Sequence, residues 1–553
     1  MRTWILPLGL GLGMATTLAL LSVGCDGGDD GPVERVCNDD VDNDNDGSTD
    51  CDDPDCAATL ACGTTDTDDT GDTDDTGDTG PKLLPTLGDS SAAIITGGDD
   101  NTWTGFSIHG GVDVNGDSKP DLIVGAPKVT CEAPNGTDME SSGAAYVFFG
   151  PVSGDVSVSD ADITICGGRP EAELGTWVGV SKDMTGDGNG DIIVSAPRDS
   201  AGRVYVFSGL APQATPYIAD PSAEGTPVTV DIVGEGVEFH FGDTFSTAPL
   251  GNGSGAPALL IGADAWSDGG AGSAGANLGR TYVFDNLVLP EGDIQLRASR
   301  AETRFTGTNA GEDSGRSVAA ADFNGDGRQD IAIGALGTSF DGAPNGGAVY
   351  LYWGDFTGER VELDTADAVL QARSSEEGVG QVVRSAGDYN DDGITDLLVG
   401  AHKASSSSGV AYVWFGSNAG FVTSDTSAVD VAMRGGAAND NAGHSVDLVG
   451  DVTGDGIDDL VVGALNVSMQ GASQRGAVYI VAGDSFTGSA DLDQLAWATY
   501  LGTANEEVAG HRVAGAGDMN GDGTPDILIG AYRKDRLTGA AYLLAGPIPQ
   551  QER

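Results

Sequence analysis

Short apolar runs alternate with acidic loops along most of this chain. From Asp322 the sequence reads DFNGDGRQDIAIGAL, a loop with acids or amides at alternate positions that gives way to a β-branched run closing on Gly-Ala; GAVYLYWG follows from Gly347 as a second apolar run. The same cassette recurs near the end as DMNGDGTPDILIGAY from Asp518 and GAAYLLAG from Gly539. Apolar runs of about four to eight residues bounded by turn residues read as strands, and near-continuous ones such as Leu460-Val461-Val462 read as strands buried on both faces. In the fifth cassette the pattern predicts strands over residues 378–384, 397–400 and 409–416, with a more polar fourth around 429–433. No long amphipathic helix interrupts the pattern; the helical candidates are short, such as residues 491–498.

Loop starts fall at Asp113, Asp183, Leu250, Asp322, Asp388, Asp451 and Asp518, a period of about 63 to 72 residues. That is too long for a solenoid coil and right for a multi-stranded propeller blade. Four strands per repeat and seven repeats predict an all-β fold over residues 89–549, a seven-bladed β-propeller of four-stranded antiparallel blades. Little chain follows GAAYLLAG to make a fourth strand for the last blade, whereas residues 91–96 (SAAIIT) stand spare before the first loop. This N-terminal strand is expected to complete the seventh blade and remove an exposed edge.

The alternating acids have a chemical reading. Calcium takes about six to eight oxygens, and a nine-residue loop with carboxylate or amide at positions 1, 3, 5 and 9, a main-chain carbonyl at 7 and Gly at 6 can wrap them around one ion. Six repeats supply such a set: Asp113, Asn115, Asp117 and Asp121 with the carbonyl of Lys119; Asp183, Thr185, Asp187 and Asp191 with Asn189; Asp322, Asn324, Asp326 and Asp330 with Arg328. The others are Asp388, Asn390, Asp392 and Asp396 with Ile394; Asp451, Thr453, Asp455 and Asp459 with Ile457; and Asp518, Asn520, Asp522 and Asp526 with Thr524. Ser118 replaces the position-6 Gly of the first loop, and Thr is a poorer ligand at position 3 of the second and sixth. The third repeat puts Leu250, Asn252, Ser254 and Ala258 at the ligand positions, so it is expected to fold without an ion. The competing reading, Asx-rich turns that bind nothing, leaves unexplained why six copies keep the acid spacing while the intervening letters vary.

The cassettes resemble the FG-GAP repeats of the integrin α-subunit propeller across residues of about 90 to 548. Gly125-Ala126-Pro127 keeps the hallmark, Ser195-Ala196-Pro197 nearly keeps it, and Gly334-Ala335-Leu336 drifts at the last position. The resemblance implies a seven-bladed propeller.

A formal charge of −59, with 85 acids against 26 bases, repels nucleic acid and anionic lipid headgroups and favours cations. Residues 1–24, with Arg2 before an apolar stretch, read as a signal peptide; Ser22-Val23-Gly24-Cys25 resembles a bacterial lipobox, with Leu21 one position further upstream than usual, and makes Cys25 the lipidation candidate. The next segment, 25–63, is acidic and Cys-rich. Counting Asp42 as position 1 places Asp44 at 3, Asp46 at 5, Gly47 at 6, Asp50 at 9 and Asp53 at 12, like an EF-hand loop and similar to the acidic, disulfide-linked modules of thrombospondin type 3 repeats. A merely solvated acidic run is the alternative. Residues 64–88 begin as an Asp/Thr/Gly tract without apolar content and read as a disordered linker. An exported chain meets an oxidising compartment, where Cys37, Cys51, Cys56 and Cys62 can pair among themselves and Cys131 with Cys166.

In an up-and-down blade the 1–2 turns, which carry every acidic loop, lie on one face, and the 2–3 loops lie on the other. The 2–3 loops vary in length, as recognition loops on a constant scaffold do; Trp266 and Tyr532 near them are candidate contacts. No HExxH or GxSxG motif is present, and repeat equivalence accounts for His444 and His511. The expectation is a non-enzymatic, calcium-stabilised binding or adhesion propeller at the cell envelope, lipid-anchored, with a protein or glycan ligand. The alternative is an envelope-associated hydrolase of glycan or lipid with its site at the propeller's central mouth.

Overall fold

The computed structural model describes residues 84–551 apart from 224–225, 237–238, 249–256, 268–276, 286, 288–293, 355, 357–359 and 484–485. The signal peptide, Cys25, the acidic module with Asp42, Asp44, Asp46, Asp50 and Asp53, and most of the third repeat's loop lie outside the described residues.

The cassettes build seven sheets arranged as propeller blades, each running outward from an inner strand. Blade five shows the logic. Val379–Ser385 is the inner strand, Leu397–Ala401 the second, Val410–Trp414 the third and Val431–Arg434 the fourth, all antiparallel. The second strand is buried at every position because it sits mid-sheet between two neighbouring blades. The core is accordingly interblade: Leu351 and Leu370 of blade four pack in one apolar cluster with Leu397, Val399 and Trp414 of blade five.

Most blades carry a fifth strand beyond the four that the sequence predicts. Six sheets have five strands and one has four. In blade five the extra strand is Gly488–Asp491, which comes from the 3–4 connection of blade six and pairs parallel with Val431–Arg434. Each such segment lends its main chain to the blade before it, turns, in four of the six cases through a short helical turn, and returns as the fourth strand of its own blade. The segment Gly154–Ser157, then Val158–Asp160, then Ile163–Gly167 is one example.

The ring closes through the N-terminal segment. Ala93–Thr96 pairs antiparallel with the third strand of blade seven, Ile94 opposite Tyr542 and Ile95 opposite Ala541, and takes Gly154–Ser157 as its parallel neighbour. Upstream of it, Thr86 bridges Leu501 of blade six in parallel and the Leu501 amide donates to the Pro85 carbonyl at 3.0 Å. Residues 85–96 thus supply a fragment of the fifth strand to blade six and the whole fourth strand to blade seven.

Adjacent blades touch main chain to main chain, which explains the Gly that opens each third strand. Gly409 has φ +81°, and a Cβ there would lie 2.0 Å from the Ala442 carbonyl oxygen of blade six. An Ala at this position has to push two blades apart. Gly409→Ala is expected to cost about 2 kcal/mol, from left-handed strain plus the overlap, read as a shift in denaturant midpoint at constant slope.

Candidate functional site

The two ends of the propeller carry different chemistry. At one end lie the acidic 1–2 loops. The first-position carboxylate folds each loop around itself: Asp388 accepts the amides of Asp392 (2.8 Å) and Gly393 (2.7 Å), and Asp113 those of Gly116 and Ser118, both at 2.6 Å. Ser118 takes φ +68°, the left-handed conformation that Gly188, Gly327, Gly393, Gly456 and Gly523 adopt in the other loops.

The ninth-position aspartate has a second task, which sequence spacing does not reveal. Asp396 is fully buried; one oxygen accepts the Tyr389 amide inside the loop (2.9 Å) and the other the Gly416 amide just past the third strand (2.8 Å). Asp121, Asp330 and Asp526 repeat this bridge, to Gly150, Gly354 and Gly546. Burial pushes the Asp396 carboxyl up to about 7; the two amides pull it back, and the charges of Asp392 and Asp388 raise it again. Asp121, Asp330, Asp459 and Asp526 are pushed up to about 6 in the same way. Buried negative charge beside further carboxylates fits a divalent cation, and the all-oxygen donor set fits calcium.

At the opposite end, the residue after the left-handed Gly of each inner strand surrounds the mouth of the ring, so Phe106, Asp243, Arg316, His444 and His511 share one level. Ring closure puts Phe106 of blade one beside His511 of blade seven, with centroids 4.9 Å apart. His511 also meets Tyr532 at 4.6 Å and His444 at 5.2 Å, and His444 meets His402 of blade five at 5.6 Å. The Nδ1 atoms of His402, His444 and His511 are buried without a hydrogen-bond partner. Burial first, then neighbouring cations and imidazoles, holds His444 and His511 well below the usual 6.5.

A folded pKa below the unfolded one means that the unfolded chain binds more protons under pH 6.5, so stability falls as pH drops through that window. Replacing His444 by Gln removes its share. Chemical denaturation of variant and parent at pH 7.5 and pH 5 should show the difference moving in the variant's favour by about 2 kcal/mol at the lower pH.

Blade three contributes a group that sequence reading missed. His240 Nδ1 lies 3.0 Å from Asp264 Oδ1 and 3.6 Å from Asp243 Oδ2, and among the described residues these three form the cluster whose possible ligand atoms all lie within 4.8 Å of one another. Arg316 reaches the other oxygen of Asp264 at 3.5 Å. The signal was present: Asp264 follows Gly262-Ala263 where the other cassettes carry Pro127, Pro197, Leu336, His402, Leu465 and Tyr532. Trp266, in contrast, is no surface contact. It is 5% exposed, with the Arg280 guanidinium 3.3 Å from its ring centre and its indole N–H donating to Glu235 at 3.0 Å. Tyr532 is half-buried in the mouth, beside Trp103 and Phe106. On the same side, Cys131 of the first 2–3 loop is disulfide-bonded to Cys166 of that blade's fourth strand, with a Cα separation of 6.1 Å. Such a bond belongs to an exported, oxidising environment.

The class follows from these features: a closed propeller in which six of the seven blades pass from the inner to the second strand through an Asx-rich loop. Residues 104–148, 174–207, 314–352, 442–481 and 509–544, in blades one, two, four, six and seven, match the FG-GAP repeat model. The chain carries FG-GAP repeats that form a seven-bladed β-propeller similar to that of integrin α chains. Integrin alpha-PS5 of Drosophila melanogaster is 27% identical over 66% of this chain and 34% of that protein. Phosphatidylinositol-glycan-specific phospholipase D of Bos taurus is 34% identical over 30% of this chain and 20% of that protein. The matched region thus spans about a third or less of either relative. Among solved structures, BBS1N in complex with ARL6DN aligns with a TM-score of 0.40 at 11% identity, covering 85% of this chain and 100% of that one.

Proposed function

We propose that this chain is a calcium-stabilised recognition propeller at the cell surface, exported and tethered through a lipid on Cys25, which captures a protein or glycan ligand on the face opposite its ion loops. The observation that carries this reading is the opposition of the two ends. One end repeats a single acidic loop design six times, as a structural ion site does; the other gathers unlike side chains, aromatic, imidazole, carboxylate and guanidinium, around one mouth, with 2–3 loops of unequal length. In each acidic loop the oxygens at positions 1, 3, 5 and 9, with the carbonyl at 7, would hold the ion. Calcium there would supply positive charge to carboxylates that otherwise repel one another.

Similarity to integrin α chains supports binding, and similarity to a phospholipase D leaves a hydrolase as the second reading. A general base needs an orienting partner. The imidazoles of His402, His444 and His511 lack one at Nδ1, whereas His240 with Asp264 forms such a pair. On the binding reading the parent chain and variants substituted at His240, His444 and His511 alike show only background glycan and lipid turnover; turnover in the parent that is lost on substituting His240 would favour the hydrolase.

The binding reading is tested by photo-crosslinking from the intact chain in calcium. A crosslinking residue at the exposed Lys403, on the 2–3 face, should capture a surface ligand that one at the exposed Asp391, in an ion loop, does not. Capture from Asp391 alone would contradict it.

A further inference from the structure

Below the mouth, the inner strands of blades one, two, three, five, six and seven line a cavity of about 170 Å³ on the propeller axis. Its charges do not balance. Arg384 and Arg512 both line it, against the single carboxylate of Asp447. Arg384 is already committed: its Nε lies 3.8 Å from Asp447 Oδ1, and its Nη1 donates to the Val383 carbonyl at 2.9 Å. The other Asp447 oxygen accepts the Gly515 amide at 3.1 Å.

Arg512 has no such anchor. Its guanidinium carbon lies 4.5 Å from the Trp177 ring centre, and its buried Nε has no hydrogen-bond partner. Burial, then Arg316 and Arg384, lowers its pKa; a guanidinium nevertheless keeps its proton, so the site retains an uncompensated positive charge. His109 does not change the balance. Its Nδ1 accepts the Val180 amide at 3.4 Å, and burial with the nearby Arg384 holds it neutral, at about 4. In a chain of net charge −59, a buried excess cation on the axis is the reverse of the surface.

We propose that this axial channel binds a small oxyanion, a sulfate, phosphate or carboxylate group, clasped by Arg512 with Arg384 beside it. An oxyanion gives the Arg512 Nε its missing acceptor and relieves the repulsion among Arg316, Arg384 and Arg512. The Trp177 ring, 4.5 Å from the guanidinium carbon, holds Arg512 by a cation–π contact and leaves its fork of donors for an anion. The volume admits a small anion or one anionic substituent of a larger ligand. The site is separate from the ion loops, and it stands whether or not the mouth captures a macromolecule.

Equilibrium dialysis of radiolabelled sulfate against the intact chain, in calcium and low chloride, tests this, with phosphate and acetate as competitors to show which oxyanion fits best. One saturable site per chain is expected. Arg512→Gln should weaken it by about tenfold or more, the loss of a charge-assisted hydrogen bond. Asp447→Asn should tighten it by removing the competing carboxylate, and Arg536→Gln, at a guanidinium 87% exposed on the surface, should leave it unchanged. Absence of saturable binding overturns the proposal, as does an affinity that Arg512→Gln leaves intact. Should Arg512→Gln fail to fold, Asp447→Asn decides: unchanged or weaker sulfate binding then overturns it.

Discussion

Chelation is expected to lower the melting temperature of the folded chain by about 15 °C or more. Each loop that holds calcium at about a hundred times its dissociation constant adds roughly 2.7 kcal/mol to the native state, and six such loops sum to about 16 kcal/mol. A domain of this size shifts by about 1 to 2 °C per kcal/mol, extrapolating from smaller ones. Removing the ions also restores repulsion among the carboxylates of each loop. Thermal scans in excess chelator and in millimolar calcium read the shift; coincident scans would mean that calcium does not stabilise the fold.

A pair of substitutions in one loop separates the ion from the scaffold. Asp396→Ala removes the buried carboxylate that accepts the Tyr389 and Gly416 amides, at a cost of about 3 to 5 kcal/mol. That loss should appear with calcium and without it, because the bridge ties the loop to the end of the third strand regardless of any ion. Asp392→Ala removes an exposed fifth-position carboxylate whose partners lie within the loop, Oδ1 accepting the Ile394 amide at 2.9 Å and Oδ2 the Asn390 side-chain amide at 3.1 Å. It should cost little in chelator and about 2 kcal/mol in calcium. Denaturant titrations of both variants under both conditions give the four values; equal calcium sensitivity of Asp392→Ala and the parent would detach position 5 from the ion.

The repeat was legible because burial dictates its letters. The second strand of each blade lies between two sheets, so Leu397 to Ala401 and its counterparts must be apolar, and the Gly that opens each third strand must lack a Cβ where two backbones meet. The fifth strands were not legible for the converse reason. Gly154–Ser157 and Gly488–Asp491 are polar and mostly exposed, and they join their sheets through main-chain pairing, which leaves no side-chain signature. Position 9 of the acidic loops read as a ligand, but its bridge to Gly416 spans 20 residues and appears only once the third strand is in place.

The mouth was legible only one residue at a time. His402, His444 and His511 lie in three blades, and Phe106 sits at the far end of the chain from His511; ring closure makes them neighbours. Trp266 shows the limit of reading loops by type. It falls in a long 2–3 loop, yet Arg280 and Glu235, contributed by other segments of blades two and three, draw it into the core.

Six acidic loops acting as ion sites, with none in blade three, make a pattern that can be seen directly. Long-wavelength anomalous diffraction from crystals grown in calcium tests it most directly. Anomalous peaks are expected inside the loops that start at Asp113, Asp183, Asp322, Asp388, Asp451 and Asp518, each within about 2.3 to 2.6 Å of the oxygens at positions 1, 3, 5 and 9, with no peak in the loop between Thr247 and Ala258. Empty loops at saturating calcium, with Asp113 and its equivalents still turned onto their own main-chain amides, would contradict it.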